Sequence, residues 1–498
     1  MDFAIKKDVV VIGAGNAALT AALSALENGA SVLIIEKAPI HLRGGNSYFS
    51  GGLFRFSYNQ INDVKVLFDS FSDHENSKVD IGSYTESKYY SDIMSVTEGL
   101  SDPTLARTLV TQSYPTMLWM KEKGIKWILS YGRQSFLENN KHKFWGGLII
   151  EAVGGGKGLC DFEFNAVEKA NAEIAYDTKV IEILRGDSGK ILGVKVRNEE
   201  GVKNIKSNSV ILASGGFEAN PQMRASYLGP SWELAKVRGT RFNTGDGMKL
   251  ALDIGAQPYG NWSGCHAVAW DLNAPLFGDR VIADLYQKHS YQLGIIVNID
   301  GKRFVDEGAD FRNYTYVKYG REILSQPHRV VFQLFDSKTR DLLRDEYFIP
   351  QASVETSNNL DDLANKLGIS ESNLLNTIEE YNSSIPSISN KFNPSILDGR
   401  STNGIYPPKS NWALPLDTPP YFGYAVTCGI TFTFGGLRIN TSSQVIDTED
   451  KVIEGLYAAG EVVGGLFYNN YPGGSGLMAG SVFGKIAGYN SAKYSLNE

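Results

Sequence analysis

Residues 284–294, DLYQKHSYQLG, place a lysine, a histidine and a tyrosine within four positions, at Lys288, His289 and Tyr291. Downstream, DEGADFRNYTY carries Arg312; upstream, SGCHAVAW carries His266. Histidine is the side chain whose ordinary pKa lets it pass a proton near neutral pH. Arginine is normally protonated, and acts as a base only in a special environment. Together these types could hold a carboxylate or move a proton to carbon. Each also has a plainer reading. A histidine in an apolar stretch is often a satisfied core residue, and Arg312 could be structural, paired with Asp310. Arg303 and Glu307 in GKRFVDE read as a local ion pair at a turn. His74, His142 and His328 have no comparable context.

The elements that must position such residues begin at the N-terminus. An apolar strand over residues 8–12 runs into Gly13-Ala-Gly15-Asn16-Ala17-Ala18, then a helix, a second strand over 32–35, and Glu36. Gly13 permits a tight turn, Gly15 lets backbone approach a pyrophosphate, and Ala18 allows close helix packing. The helix N-terminus offers N–H groups and a positive dipole end to phosphates. Glu36 is placed to accept from ribose hydroxyls. The motif in this context predicts dinucleotide binding; the plain alternative is an ordinary buried βαβ unit. Two more apolar strands end in glycine, VILASGGF over 210–217 and IEGLYAAGEVVGG over 453–465. A chain that opens with the βαβ unit and returns to it at the far end has the habit of FAD-binding flavoproteins. HLRGGNSYFSGG, residues 41–52, reads as a loop of backbone laid against a ligand.

The 498 residues exceed what one hydrophobic core usually serves, so two domains are expected. Net charge of −7 argues against nucleic acid or an anionic membrane surface as partner. Apolar runs are short and interrupted by glycine, so no membrane span is predicted. The N-terminus lacks a signal-peptide pattern. Three scattered cysteines support neither a disulfide framework nor a metal site. A cytoplasmic location fits best.

Seven stretches resemble the flavoprotein family of fumarate reductase, succinate dehydrogenase and 3-ketosteroid dehydrogenases, closest to its tricarballylate dehydrogenase branch. They are VIGAGNAALTAALSALENGASVLIIEKAP, RGGNSYFSGG, KFWGGLIIEAVGGGKGL, SGCHAVAWDLNAP, QKHSYQLGIIVNIDGKRFVDEGADFRNYTYVKYGREIL, GITFTFGGLRIN and NNYPGGSGLMAGSVFGKIAG. The resemblance implies an α/β fold: a discontinuous Rossmann-like FAD-binding domain, residues 1–260 and 430–498, with an inserted α+β capping domain, residues 261–429. It implies FAD contacts at Gly13, Gly15, Asn16, Ala17, Ala18, Glu36, Lys37, Gly44, Gly45, Asn46, Ser47, Gly51, Gly52, Val180, Ala213, Gly215, Asp246, Gly460, Glu461, Ser475, Gly476 and Leu477. Gly476 and Leu477 open the last helix, where N–H groups can polarise the flavin pyrimidine carbonyl.

The reaction implied is hydrogen exchange across a carbon–carbon bond beside a carboxylate or carbonyl. The flavin takes or gives hydride and the protein supplies an acid or base. Arg312, His289 and Tyr291 are the candidates for the proton; His266, Lys288, Thr431, Tyr471 and Gly474 are candidates for substrate binding. Arg312 sits one residue further on than the proton-donor arginine of fumarate reductases. Thr431 and Tyr471 stand where those enzymes carry a histidine and an arginine for carboxylates. Losing two cations argues against fumarate or succinate, and Tyr471 resembles the tyrosine that helps polarise a ketone in 3-ketosteroid dehydrogenases.

The leading expectation is a tricarballylate-type dehydrogenase passing electrons to a separate carrier. The resemblance implies an iron–sulfur partner at the membrane, giving the chain a peripheral association. The alternatives are a 3-ketosteroid-type dehydrogenase, a fumarate reductase-like enoate reductase, or an electron-transfer module of a larger complex. His41 lies three residues before Gly44, too near for the covalent attachment of respiratory members, so FAD is expected to be non-covalent.

Overall fold

A computed structural model describes residues 3–144, 147–387 and 391–497. Trp145 and Gly146, in one of the matched stretches, lie outside the described residues. The chain divides into two compact units. The first comprises residues 1–233, 239–265 and 432–498; the second comprises 234–238 and 266–431.

In the first unit the apolar runs become a six-stranded sheet. Its order is Glu173–Ala175, Val32–Ile35, Val9–Ile12, Ser209–Leu212, Val452–Ala458, Gln444–Ile446. The first five strands are parallel, and the edge strand Gln444–Ile446 is antiparallel. The three inner runs Val9–Ile12, Val32–Ile35 and Ser209–Leu212 are buried throughout, as a parallel sheet covered on both faces requires. A second, four-stranded sheet brings Ile5–Lys6, Gly201–Lys206, Ile191–Asn198 and Lys179–Arg185 together.

Helix Asn16–Glu27 packs along the last helix, Ser475–Asn497. Gly480, Gly484 and Gly488 fall on one face of that helix, four residues apart. A Cβ at Gly484 would lie 2.3 Å from Thr20 Oγ1, and one at Gly488 would lie 2.1 Å from the Ala21 carbonyl oxygen. Glycine there lets two helix backbones approach as no other residue would. The contact closes the first unit by joining its two sequence ends.

The second unit is α+β. Its sheet runs Lys236–Val237, residues 421–431 of the strand Tyr421–Leu437, Val331–Phe335, Ile295–Asn298, and Val354–Ser357 also pairs with the long strand. The core holds Ile295, Val297, Phe332 and Leu334 from the sheet against Leu363, Leu374 and Ile378 from helices Leu360–Leu367 and Glu371–Ser383. Helix Arg312–Leu324 begins at the candidate arginine itself. No helix of the described residues is long and apolar enough to cross a membrane.

Candidate active site

In the first unit, the glycine-rich stretches converge on one cradle. Gly13 has φ +107°, and a Cβ there would sit 2.4 Å from the Ala213 carbonyl oxygen. It therefore serves the approach of two parallel strand ends as well as the turn. Gly15 N-caps helix Asn16–Glu27. A Cβ on it would meet Ser47 Oγ at 3.4 Å, and the same hydroxyl accepts from the Asn16 backbone N–H at 3.0 Å. The loop over 41–52 is thus pinned to the phosphate-binding turn. Ala17 meets Gly460, where a Cβ would lie 2.7 Å from Ala17 Cβ.

The side chains divide into those available to a ligand and those already committed. Glu36 follows its strand as expected; its carboxylate accepts from the Ala38 N–H at 2.7 Å and from the Ala14 and Lys37 backbone. Burial raises its pKa. Lys37 donates to Asp246 at 2.7 Å, and Lys179 donates to the other Asp246 oxygen at 3.0 Å. Burial alone would raise the Asp246 carboxyl, but Lys37, Lys179 and Thr244 bring it down to about 2. Asn16 is a brace: its amide donates to the Leu477 carbonyl at 2.9 Å and accepts from Ser481 at 2.8 Å. Asn46 donates to Glu218 at 2.6 Å and accepts from the Thr240 N–H at 2.9 Å. Glu461 accepts from the Thr433 N–H at 2.7 Å and from Asn243 at 3.4 Å. Gly215 abuts the Asn243 side chain, and Val180 is buried in Lys179–Arg185. Ser475 accepts from Tyr89 at 3.0 Å at the start of the last helix.

Gly154-Gly155-Gly156 is a feature that sequence reasoning quoted but did not assign. Helix Gly155–Lys169 starts against the cradle loop. A Cβ on Gly52 would sit 2.5 Å from the Gly155 carbonyl carbon, and one on Gly156 would sit 2.2 Å from the Ser47 oxygen. Arg43 points away from this contact; it donates to Glu168 at 3.0 Å and Tyr176 at 2.9 Å, with its guanidinium over Phe164. Gly474 presses on Leu148 and Arg55, and Arg55 donates to the Gly473 carbonyl at 2.7 Å. That glycine shapes the loop before the last helix. Tyr471 is buried among Phe432, Phe467 and Phe434, with ring centroids 5.1, 5.3 and 6.4 Å away.

FAD fits these residues. Close glycine contacts hold the Gly13–Gly15 turn, the loop over 41–52 and the start of helix Gly155–Lys169 together, beside the N-terminus of helix Asn16–Glu27 and the Glu36 carboxylate. Bound FAD would contribute hydride chemistry, and the residues above would orient it. His41 is exposed, as expected for a bystander. Acid precipitation should therefore leave colourless protein, with all the flavin in the supernatant; yellow protein would contradict this.

In the second unit, the candidate residues come together with two arginines that spacing did not single out. Arg312 Nη1 lies 3.4 Å from His289 Nδ1. Arg312 and Tyr316 are one turn apart on the same helix, and the Tyr316 ring meets His266 and His289 edge-on, at 5.0 and 5.1 Å. Arg344 pairs with Glu346 at 2.8 Å, and Arg238 pairs with Asp284. Both arginines are hidden in sequence by distance: one precedes His266 by 28 residues and the other follows Arg312 by 32. Asp310 is turned to the Phe311 N–H, so the plainer alternative, a structural Arg312 paired with Asp310, does not form.

The electrostatics follow from burial among cations. His289 is driven well below its ordinary pKa by burial and then by Arg312, Arg238, Arg344 and His266. His266 is driven down likewise by burial and Arg238. Both are neutral imidazoles at pH 7. Arg312 is lowered to about 9 by burial and by repulsion from Arg344. Its place at a helix N-terminus, the positive end of the dipole, acts in the same direction. Arg312 forms no ion pair among the described residues, and its buried Nη2 has no hydrogen-bond partner there; neither does His289 Nε2.

Two candidates are withdrawn from substrate by their partners. Lys288 is fully buried, paired with Asp271 at 3.2 Å and bonded to the Glu346 carbonyl at 2.8 Å. Tyr291 exchanges a 2.7 Å hydrogen bond with Thr315 and packs on Tyr319. Replacing Lys288 with methionine leaves Asp271 buried without its cation, and should cost about 3–5 kcal/mol of stability. The denaturation midpoint should fall while turnover of the folded fraction persists. A lost turnover with unchanged stability would return Lys288 to the substrate.

The FAD-binding-domain family matches residues 8–477. The chain is 28% identical over 491 residues to a fumarate reductase (cytochrome) of Shewanella frigidimarina, covering 98% of this chain and 77% of that protein. It is 26% identical over 504 residues to a urocanate reductase of Eggerthella lenta, covering 97% and 74%. Among solved structures, the open conformation of a flavocytochrome c3 fumarate reductase superposes with a TM-score of 0.74 at 25% identity, covering 99% of this chain and 79% of that one. The chain belongs to the FAD-binding-domain family, within the fumarate reductase and succinate dehydrogenase flavoprotein superfamily, and is an FAD-dependent oxidoreductase acting on carbon–carbon bonds.

Proposed function

We propose that the enzyme reduces the double bond of an α,β-unsaturated monocarboxylate, with Arg312 delivering the proton to the carbon next to the carboxylate. FAD supplies the hydride. The observation that carries this reading is Arg312: a buried arginine without a carboxylate partner, lowered to about 9. Such a group is fully charged at pH 7 yet acidic enough to give its proton up in a transition state. Dehydrogenation of a tricarballylate-type substrate would need the same group deprotonated, which at pH 7 holds for about one molecule in a hundred.

The charge balance supports one carboxylate on the substrate. Lys288 and Arg344 are matched by Asp271 and Glu346, Arg238 is paired with Asp284 but keeps Nε without a partner, and Arg312 has no carboxylate partner among the described residues. His289 Nδ1 accepts from Arg312 Nη1 and so orients the guanidinium. In this reading electrons enter from a reduced carrier.

The test is anaerobic. Enzyme reduced with dithionite is mixed in turn with cinnamate, crotonate, fumarate and aconitate, and the return of oxidised flavin absorbance is followed. Cinnamate and crotonate should reoxidise the flavin faster than fumarate or aconitate. Stable reduced flavin with every enoate, together with bleaching of the oxidised enzyme by tricarballylate or a 3-ketosteroid, would replace this reading with one of the dehydrogenase readings.

A further inference from the structure

Arg238 is held more elaborately than a structural arginine requires. The strand Lys236–Val237 runs parallel to Gly429 and Ile430, and the Arg238 N–H donates to the Ile430 carbonyl at 2.8 Å. That register sets the Arg238 side chain beside Thr431, to which Nη1 donates at 3.2 Å. Nη2 donates to the Asp284 carboxylate, whose second oxygen accepts from Gln287 at 2.9 Å. The guanidinium lies 5.6 Å from the centre of the Trp270 ring.

Asp284, Thr431 and Trp270 thus fix the plane of the fork, with the residue 8% exposed. One donor is left over. Nε is buried and has no hydrogen-bond partner among the described residues. An orphaned donor on a buried charged group is costly. An acceptor oxygen arriving from outside the protein would satisfy it.

We infer that Arg238 is the carboxylate anchor of this enzyme: it brings to Thr431, from the neighbouring strand, the positive charge that the threonine itself lacks. The inference rests on the enoate reading and adds to it a specificity-determining residue. Asp284 is then a positioning residue, holding the fork while Nε faces the ligand. The division of labour is that Arg238 binds and Arg312 protonates. A planar fork suits a carboxylate better than a point charge does, so lysine would be an incomplete replacement.

The experiment separates charge recognition from chemistry. Binding of 3-phenylpropionate and of its amide to the oxidised holoenzyme is measured by calorimetry, which needs no turnover. The natural enzyme should prefer the acid by about 10- to 100-fold. In Arg238→Gln that preference should collapse to within about threefold, and in Arg238→Lys it should be partly kept. For cinnamate, Arg238→Gln should raise KM by the same factor and leave kcat within a few-fold, whereas Arg312→Gln should do the reverse. An acid preference unchanged in Arg238→Gln would overturn the inference. Should Arg238→Gln fail to retain FAD, Arg238→Lys and the natural enzyme still decide: no acid preference in the natural enzyme overturns it too. If no enoate reoxidises the flavin while the acid preference tracks Arg238, the reaction assigned above fails and the anchor stands.

Discussion

Replacing Arg312 with glutamine is expected to lower turnover by about a hundred- to ten-thousand-fold, the range that a positioned proton donor contributes. FAD content should be unchanged, because Arg312 lies in the second unit and the cradle residues lie in the first. Glutamine keeps hydrogen-bonding capacity and size but has no proton to give. Lysine should recover only a small part, since an ammonium cannot reproduce the geometry of Nη1 toward His289. The pH profile carries the sign. Arg312 is lowered from its ordinary value to about 9, so its acid form is complete at pH 7 and is lost as pH rises through about 9. The rate of enoate reduction should therefore fall above about pH 9, and the reverse dehydrogenation should rise over the same interval. In Arg312→Gln this limb should vanish. A limb that persists in the variant would assign the proton to another group.

The second large effect is expected at Gly156→Ala, in the first unit. Gly156 has no positive φ, so alanine meets no backbone strain there; its Cβ would lie 2.2 Å from the Ser47 oxygen and 2.5 Å from the Ser50 oxygen. Neither atom is the tip of a flexible side chain. Gly156 also donates its N–H to the Ser50 oxygen at 3.0 Å. The loop must move, and with it the Ser47 hydroxyl that is tied to the phosphate-binding turn. Overpacking of this kind costs about 1–3 kcal/mol. Because the loss falls on the cradle, FAD affinity should drop by roughly five- to a hundredfold. Flavin fluorescence released on dilution measures it. Gly186→Ala, where φ is not positive and the Cβ would meet only the Leu192 side chain at 3.5 Å, is the control on an open glycine. Equal FAD affinity in Gly156→Ala and the natural enzyme would show that the loop yields without consequence.

The first unit was legible because its chemistry is local. Gly13, Gly15 and Glu36 sit within one βαβ unit, where spacing along the chain is spacing in space. The tight glycines at 44–52 announced themselves by density. What they press against did not: Gly156 is a hundred residues away, and only the folded chain brings the two runs together. The second unit was legible in residue types and illegible in partners. Arg312, His289 and His266 do meet, but Lys288 is consumed by Asp271 and Tyr291 by Thr315. Ion pairs buried between distant segments leave no periodic trace. Arg238 was missed for the same reason, since its neighbour Thr431 is reached only through strand pairing.

The glycine-spaced last helix also sets an order of events during synthesis. Residues 475–497 leave the ribosome after the whole inserted unit, yet Leu477 and Ser481 hold Asn16 beside the phosphate-binding turn. A chain cut before residue 475 should therefore lack the brace on Asn16 and fail to retain flavin, however well the preceding residues are made.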